Sequence, residues 1–178
     1  MSDLAAVVGV PARSVTELVA RLASRGVTIA TAESLTGGLL VALLTEIPGS
    51  SAVVRGGLVV YATELKHVLA GVDPDLLARR GPVDPAVAAQ LADGARRRCG
   101  ADVGVGLTGV AGPDPQDGVP VGTWYCAISG PGEHRQTRRG LPGAATEPGA
   151  PRPTRGSIRA AAVRAALQMV ANIPATGS

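Results

Sequence analysis

Aromatic side chains are scarce in this chain. Its 178 residues include no phenylalanine, one tryptophan and two tyrosines, and none of the three (Tyr61, Trp124, Tyr125) is interleaved with the arginine-rich segment near the C-terminus. A platform for stacking bases is therefore poorly supported. Cysteine is equally sparse: Cys99 and Cys126 have no CxxC spacing, so they indicate neither a zinc site nor a redox pair, and reduced core residues in a cytoplasmic protein are expected. No basic segment followed by a sustained apolar run opens the chain, and no stretch approaches 18 uninterrupted apolar residues, so a soluble, unexported protein without a membrane association is expected. GxxxxGK(S/T) and GxGxxG are missing, which leaves nucleoside triphosphate hydrolysis and dinucleotide binding without their motifs. No clustering of carboxylates and histidines points to a metal, and no cofactor is expected.

The sequence pI of 9.4 invites a nucleic-acid reading, so the location of the charge matters. Residues 131–159 hold six arginines against two glutamates, whereas the rest of the chain holds 11 basic and 12 acidic residues. The basicity belongs to one segment, and nucleic acid is not the expected partner.

What is present is an alternation of strand and helix patterns. Residues 1–12 read as a ragged terminus. Ser14 and Glu17 form a capping-box pattern ahead of Val15, Leu18, Val19 and Leu22 at helical spacing. Strands are expected over 27–31, 57–61 (buried), 102–107 and 121–129, the last pairing with 134–138 as a hairpin. Thr63 can cap a short helix carrying Glu64, Lys66 and Leu69. Asp73-Pro74 and Asp84-Pro85 each read as an N-cap followed by proline, the second opening a helix that ends at Gly100. Residues 140–154, rich in Pro, Gly and Ala, read as a flexible insertion. Ile158, Ala162, Ala165, Ala166 and Met169 then mark an amphipathic helix. The pattern predicts one domain over 13–172, of α/β class, with strand ends gathered at one edge where the loops TAESLTGG, YATELK and LTGVAGPD make a ligand crevice.

The first of those loops carries the best nucleophile candidate. Ser34 sits in a strand-to-helix turn beside Thr36, Gly37 and Gly38, where backbone N–H groups can stabilise an oxyanion, although serine is also favoured there simply as a cap. Serine needs a base, and neither His67 nor His134 lies in a loop after a buried strand, so a Ser-His-Asp triad is unsupported; GxSxG is absent too. Lys66 is the alternative. It is the one lysine in a chain with 17 basic residues, and a desolvated lysine can accept a proton where arginine cannot. An exposed helix residue is the plainer reading of Lys66, as a strand-end core residue is of Tyr61. Tyr61 could also relay the proton or orient a ligand. Glu33 could support the turn or face solvent. The Gly/Thr loops at 34–38 and 107–112 suit a single phosphate.

AESLTGG, GGLVVYATELK, GVDPDLLARRGPVDPAVAAQLADGAR and GADVGVGLTGVAGPD with PVGTWYCAI together closely resemble the CinA C-terminal domain family, the nicotinamide-nucleotide amidohydrolases. The resemblance covers roughly 15–129 and resumes over 155–167. It implies a three-layer α/β/α fold with a central, mostly parallel mixed sheet, a homo-oligomer, and metal-free hydrolysis of the carboxamide of nicotinamide mononucleotide to nicotinate mononucleotide and ammonia. Carried over by position, Ser34 is the nucleophile, Lys66 and Tyr61 handle its proton, and Glu33, Thr36, Gly37, Gly38, Thr108 and Gly109 form the ligand loops. Arg155 and Arg159 match an Arg-x-x-(Ile/Val)-Arg pattern that the resemblance assigns to phosphate. The chain departs from the family at Leu35, usually cysteine, which excludes a thiol mechanism. It also departs at Thr63, Asp84, and Pro153-Thr154 before Arg155. Two other roles fit the same features: a nucleotide-binding subunit without turnover, and an accessory protein of competence or DNA damage.

Overall fold

The computed structural model of the chain describes residues 3–130, 135–140 and 153–173. Strands β1 (Ile29–Glu33), β2 (Val54–Val59), β3 (Val103–Gly109), β4 (Trp124–Ser129) and β5 (Arg135–Gly140) form one open sheet in the order β2-β1-β3-β4-β5. β1 runs parallel to both β2 and β3, while β4 pairs antiparallel with β3 and β5, so four of the five strands point one way. One face is covered by α1 (Asp3–Val8), α2 (Ala12–Ser24), α3 (Leu39–Thr45) and α7 (Arg155–Ala171). The other carries α4 (Thr63–Val68), α5 (Pro74–Arg80) and α6 (Pro85–Cys99). This is the expected three-layer α/β/α fold with a mostly parallel mixed sheet. Among the described residues no helix is long and apolar enough to cross a membrane.

The two faces of the sheet differ in side-chain size, and β3 shows why. Its Val103, Val105 and Leu107 enter the larger core with Leu22, Leu43 and Val163, while Gly104 and Gly106 lie beneath α6. A Cβ on Gly104 would overlap the Ala92 carbonyl, and one on Gly106 the Ala88 carbonyl. With Ala30, Ala32 and Ala127 also on this face, α6 packs against backbone rather than side chains. Gly106→Ala is therefore expected to force α6 outward and cost about 1–3 kcal/mol, read as a lower urea midpoint at unchanged slope.

Several elements differ from the sequence expectation, each for a physical reason. Residues 3–8 are helical, because Ala5 and Val8 are buried in the main core and the Val8 carbonyl accepts from Arg164 at 2.6 Å. The Ser14–Glu17 capping box does not form: α2 starts at Ala12 after Pro11, the Ser14 hydroxyl donates to the Pro11 carbonyl, and Glu17 pairs with Arg13 at 2.7 Å. β1 runs two residues later than expected, to Glu33. β2 covers Val54–Val59 and is an edge strand with alternate residues exposed rather than a buried one. Ala62, not Thr63, occupies the cap position of α4. Asp73 and Asp84 do cap α5 and α6, accepting from Asp75 N at 2.9 Å and Ala86 N at 2.7 Å. The expected insertion at 140–154 falls mostly on 141–152, and the hairpin turn with His134 on 131–134, both outside the described residues.

Parallel pairing of β1 with β2 and β3 brings the C-terminal ends of all three to one edge of the sheet. The loops that follow them, at 34–38, 60–62 and 110–122, converge there.

Candidate active site

The turn after β1 is held from both ends. Ser34 N–H donates to the Leu107 carbonyl at 2.9 Å, tying the start of the turn to β3. Gly37 N–H donates to the Ser34 carbonyl at 3.0 Å and closes it. Gly37 and Gly38 have φ of 60° and 88°, left-handed values that a side chain would resist, and they let the chain reverse into α3 within one turn. Because no side chain of the turn caps α3, Glu33 does so from β1. Its carboxylate oxygens accept from Leu40 N–H at 3.0 Å, Val41 N–H at 2.9 Å and the Thr31 hydroxyl at 3.1 Å. Ser34 is thus not the helix cap. It is buried, and its hydroxyl has no hydrogen-bond partner among the described residues.

Lys66 is 2% exposed, not the exposed helix residue that its local sequence also allowed. Burial lowers its pKa from 10.5 to about 8, against a smaller opposing effect of Glu64. Its Nζ donates to the Val60 carbonyl at 2.9 Å and to the Tyr61 carbonyl at 3.3 Å. A neutral amine has two N–H donors and one lone pair, so two carbonyls use its donors and leave the lone pair as its remaining valence. Tyr61 is 59% exposed rather than core, and its hydroxyl accepts from Arg155 Nη2 at 2.9 Å.

A cavity of about 380 Å³ lies between the three loops. Ser34, Lys66, Tyr61, Thr108, Gly109 and Arg155 all line it. Arg155 spans its mouth from the start of α7, reaching Tyr61 on one side and the Gly112 carbonyl on the other. Thr108 braces a wall, its hydroxyl donating to the Pro82 carbonyl at 2.7 Å. Four other residues singled out from the sequence do not line it: Glu33, whose carboxylate is taken up by α3; Thr36, fully buried; Gly37 and Gly38, which shape the turn behind it. Arg159 is also outside, bonded to the Leu35 and Thr36 carbonyls. His67 Nδ1 donates to the Val72 carbonyl at 2.8 Å and is likewise not in the lining. Cys126 is buried among apolar neighbours, which pushes its thiol up to about 12 and keeps it protonated.

A family model described as the CinA C-terminal domain matches residues 12–173. The chain belongs to that family. Its CinA domain is similar to a CinA-like protein of Frankia casuarinae, 46% identical over 149 residues, which cover 84% of this chain and 32% of that protein. A CinA-like protein of Acidobacterium capsulatum is 46% identical over 150 residues, covering 84% and 34%. The chain therefore spans about a third of the length of these curated relatives. Among solved structures it is similar to the competence/damage inducible protein CihA from Agrobacterium tumefaciens, with a TM-score of 0.77 and 36% identity over 89% of this chain and 94% of that one. A CinA superfamily protein from Escherichia coli gives a TM-score of 0.80 at 28% identity, covering 96% and 92%.

The CinA domain's cavity also includes residues that the sequence did not single out. Asp114 and Gln116 lie on the loop that follows Thr108 and Gly109 at the end of β3, so their signal was the loop itself. Pro82 and Val83 carry no comparable signal: they reach the cavity only because α5 and α6 fold back over the sheet edge. Among the described residues no group of His, Cys, Asp and Glu is placed to hold a metal ion.

Proposed function

We propose that this CinA domain is an amidohydrolase that converts nicotinamide mononucleotide to nicotinate mononucleotide and ammonia. The observation that carries the reading is the shared cavity of Ser34, an unpartnered hydroxyl, and Lys66, a buried amine whose pKa is lowered to about 8. Ser34 Oγ attacks the carboxamide carbon and Lys66 takes its proton. The Leu35 N–H group, which has no acceptor among the described residues and belongs to a residue that lines the cavity, receives the oxyanion. As the C–N bond breaks, Lys66 returns the proton to the departing ammonia, leaving an acyl ester on Ser34. Water then attacks the ester, Lys66 takes a proton from it, and Ser34 recovers that proton as the carboxylate leaves. Tyr61 and Arg155, bonded to each other at the mouth, are placed to hold the nucleotide part, Arg155 through its phosphate.

The test is incubation of the protein with nicotinamide mononucleotide and separation of the products. Equimolar nicotinate mononucleotide and ammonia are expected; their absence at high enzyme concentration refutes the reading. One observation favours a second role. Lys66 Nζ bonds to the Val60 and Tyr61 carbonyls and not to Ser34, an arrangement that also fits a nucleotide-binding subunit without turnover. Calorimetric binding of the mononucleotide without ammonia release would favour that role.

A further inference from the structure

Arg159 holds the carbonyls of the two residues that follow the nucleophile. Its Nε donates to the Leu35 carbonyl at 3.1 Å and its Nη2 to the Thr36 carbonyl at 2.8 Å, and it does not line the cavity around Ser34. No carboxylate forms an ion pair with this guanidinium among the described residues. Its charge is directed at backbone carbonyls alone.

Peptide geometry gives these contacts a consequence on the opposite side of the chain. In a trans peptide the C=O and the N–H point in opposite directions, and the one cis bond among the described residues is Gly112–Pro113. Holding the Leu35 carbonyl against Arg159 therefore turns the Thr36 N–H away from Arg159, and holding the Thr36 carbonyl turns the Gly37 N–H away as well. The Gly37 N–H is consumed by the Ser34 carbonyl. The Thr36 N–H is left without an acceptor among the described residues. At the other end of the turn Glu33 accepts from the α3 amides, so an anion and a cation fix the segment between them.

We propose that Arg159 is a positioning residue for the nucleophile turn: by fixing the Leu35–Thr36 and Thr36–Gly37 peptides it holds the turn that presents Ser34 Oγ and the Leu35 N–H to the cavity. The inference rests on the amidase reading and departs from the phosphate role that the family resemblance implied for Arg159. Arg155, which does line the cavity, keeps that role.

The test compares wild type, Arg159→Ala and Arg159→Lys on nicotinamide mononucleotide, on nicotinamide riboside, which lacks the phosphate, and on the rate at which a fluorophosphonate labels Ser34, read by intact mass. The phosphonyl oxygen of that adduct occupies the place of the oxyanion. Arg159→Ala is expected to lower kcat and the labelling rate by on the order of 100-fold. KM should stay within about threefold, and the ratio of mononucleotide to riboside turnover should be unchanged. Arg159→Lys recovers part of the loss, since one ammonium can serve a carbonyl without the planar fork. A higher KM for the mononucleotide alone, with kcat and labelling retained, would make Arg159 a phosphate ligand and overturn the inference. If wild type is labelled but releases no ammonia, the substrate reading fails while labelling still decides: equal rates in wild type and Arg159→Ala overturn the positioning role. A wild type neither labelled nor active overturns both. Should Arg159→Ala not fold, Arg159→Lys decides on the same readouts.

Discussion

Lys66→Met is expected to lower ammonia release from nicotinamide mononucleotide by about 10²–10⁴-fold, the usual contribution of a positioned base. The variant keeps the length and the buried aliphatic stem of the side chain but has no lone pair to offer Ser34. In wild type the same group sets the pH dependence. With the neutral amine as the active form, kcat/KM is expected to rise with pH and level off above about 8, whereas with a lysine left at 10.5 it would still be climbing. At pH 7 the shift raises the neutral fraction from below roughly 0.1% to roughly 10%. The stability consequence has the opposite sense to that of a salt-bridged lysine, whose pKa is raised. Between about 8 and 10.5 the unfolded chain binds a proton at Lys66 that the folded chain does not, so wild-type stability rises with pH across that window. Below it both states are protonated and the full penalty of burying the charge applies. Urea unfolding of wild type and Lys66→Met from pH 7 to 10.5 should show wild type gaining on the variant as pH increases. A flat difference, or an activity profile without a rise toward 8, would remove Lys66 as the base.

The second large effect is expected at Glu33, which does not line the cavity. Glu33→Ala removes the acceptors of the Leu40 and Val41 N–H groups and of the Thr31 hydroxyl, all inside the fold. Hydrogen bonds to a charged group contribute about 1.5–3 kcal/mol each, and buried donors left without partners cost a similar amount, so a loss of roughly 3–5 kcal/mol is expected. Glu33→Gln separates shape from charge. Each carboxylate oxygen accepts from a backbone N–H, so one end of the amide must set an NH₂ against a donor; the expected loss is smaller, about 1–3 kcal/mol. Both variants should also slow catalysis beyond their effect on folding, because α3 and the turn before it share this anchor. Urea midpoints and ammonia release measured at a temperature where both variants are folded check the two effects separately. Wild-type stability in Glu33→Ala would contradict the capping role.

These two residues mark how far the sequence could be read. That Lys66 and Ser34 line one cavity was legible, Lys66 because a single lysine among many arginines is chemically specific, and Ser34 because hydroxyl and glycine residues at a strand-to-helix junction admit few conformations. Glu33 was not, since a carboxylate at a strand end looks alike whether it meets water or the amides of a helix seven residues on. The carbonyl contacts of Arg159 were not legible for a related reason: guanidinium suits phosphate and paired carbonyls equally well, and which it meets depends on where α7 docks. The strands were legible in number and order, yet the edge position of β2 was not. Its run of glycine and valine reads as buried, and only the pairing of β1 with β3 on its other side leaves β2 outside. The helix over 3–8 was missed because its two buried residues, Ala5 and Val8, are too few to make a period, and they are ordered by α7 from the far end of the chain.

Attack by the Ser34 hydroxyl is tested by ammonia release from nicotinamide mononucleotide, measured for wild type and Ser34→Ala under identical conditions. Removing Oγ disturbs no hydrogen bond among the described residues, so the variant should fold as wild type does. Loss of essentially all ammonia release in the folded variant is expected; release at the wild-type rate would mean that a group other than Ser34 performs the attack.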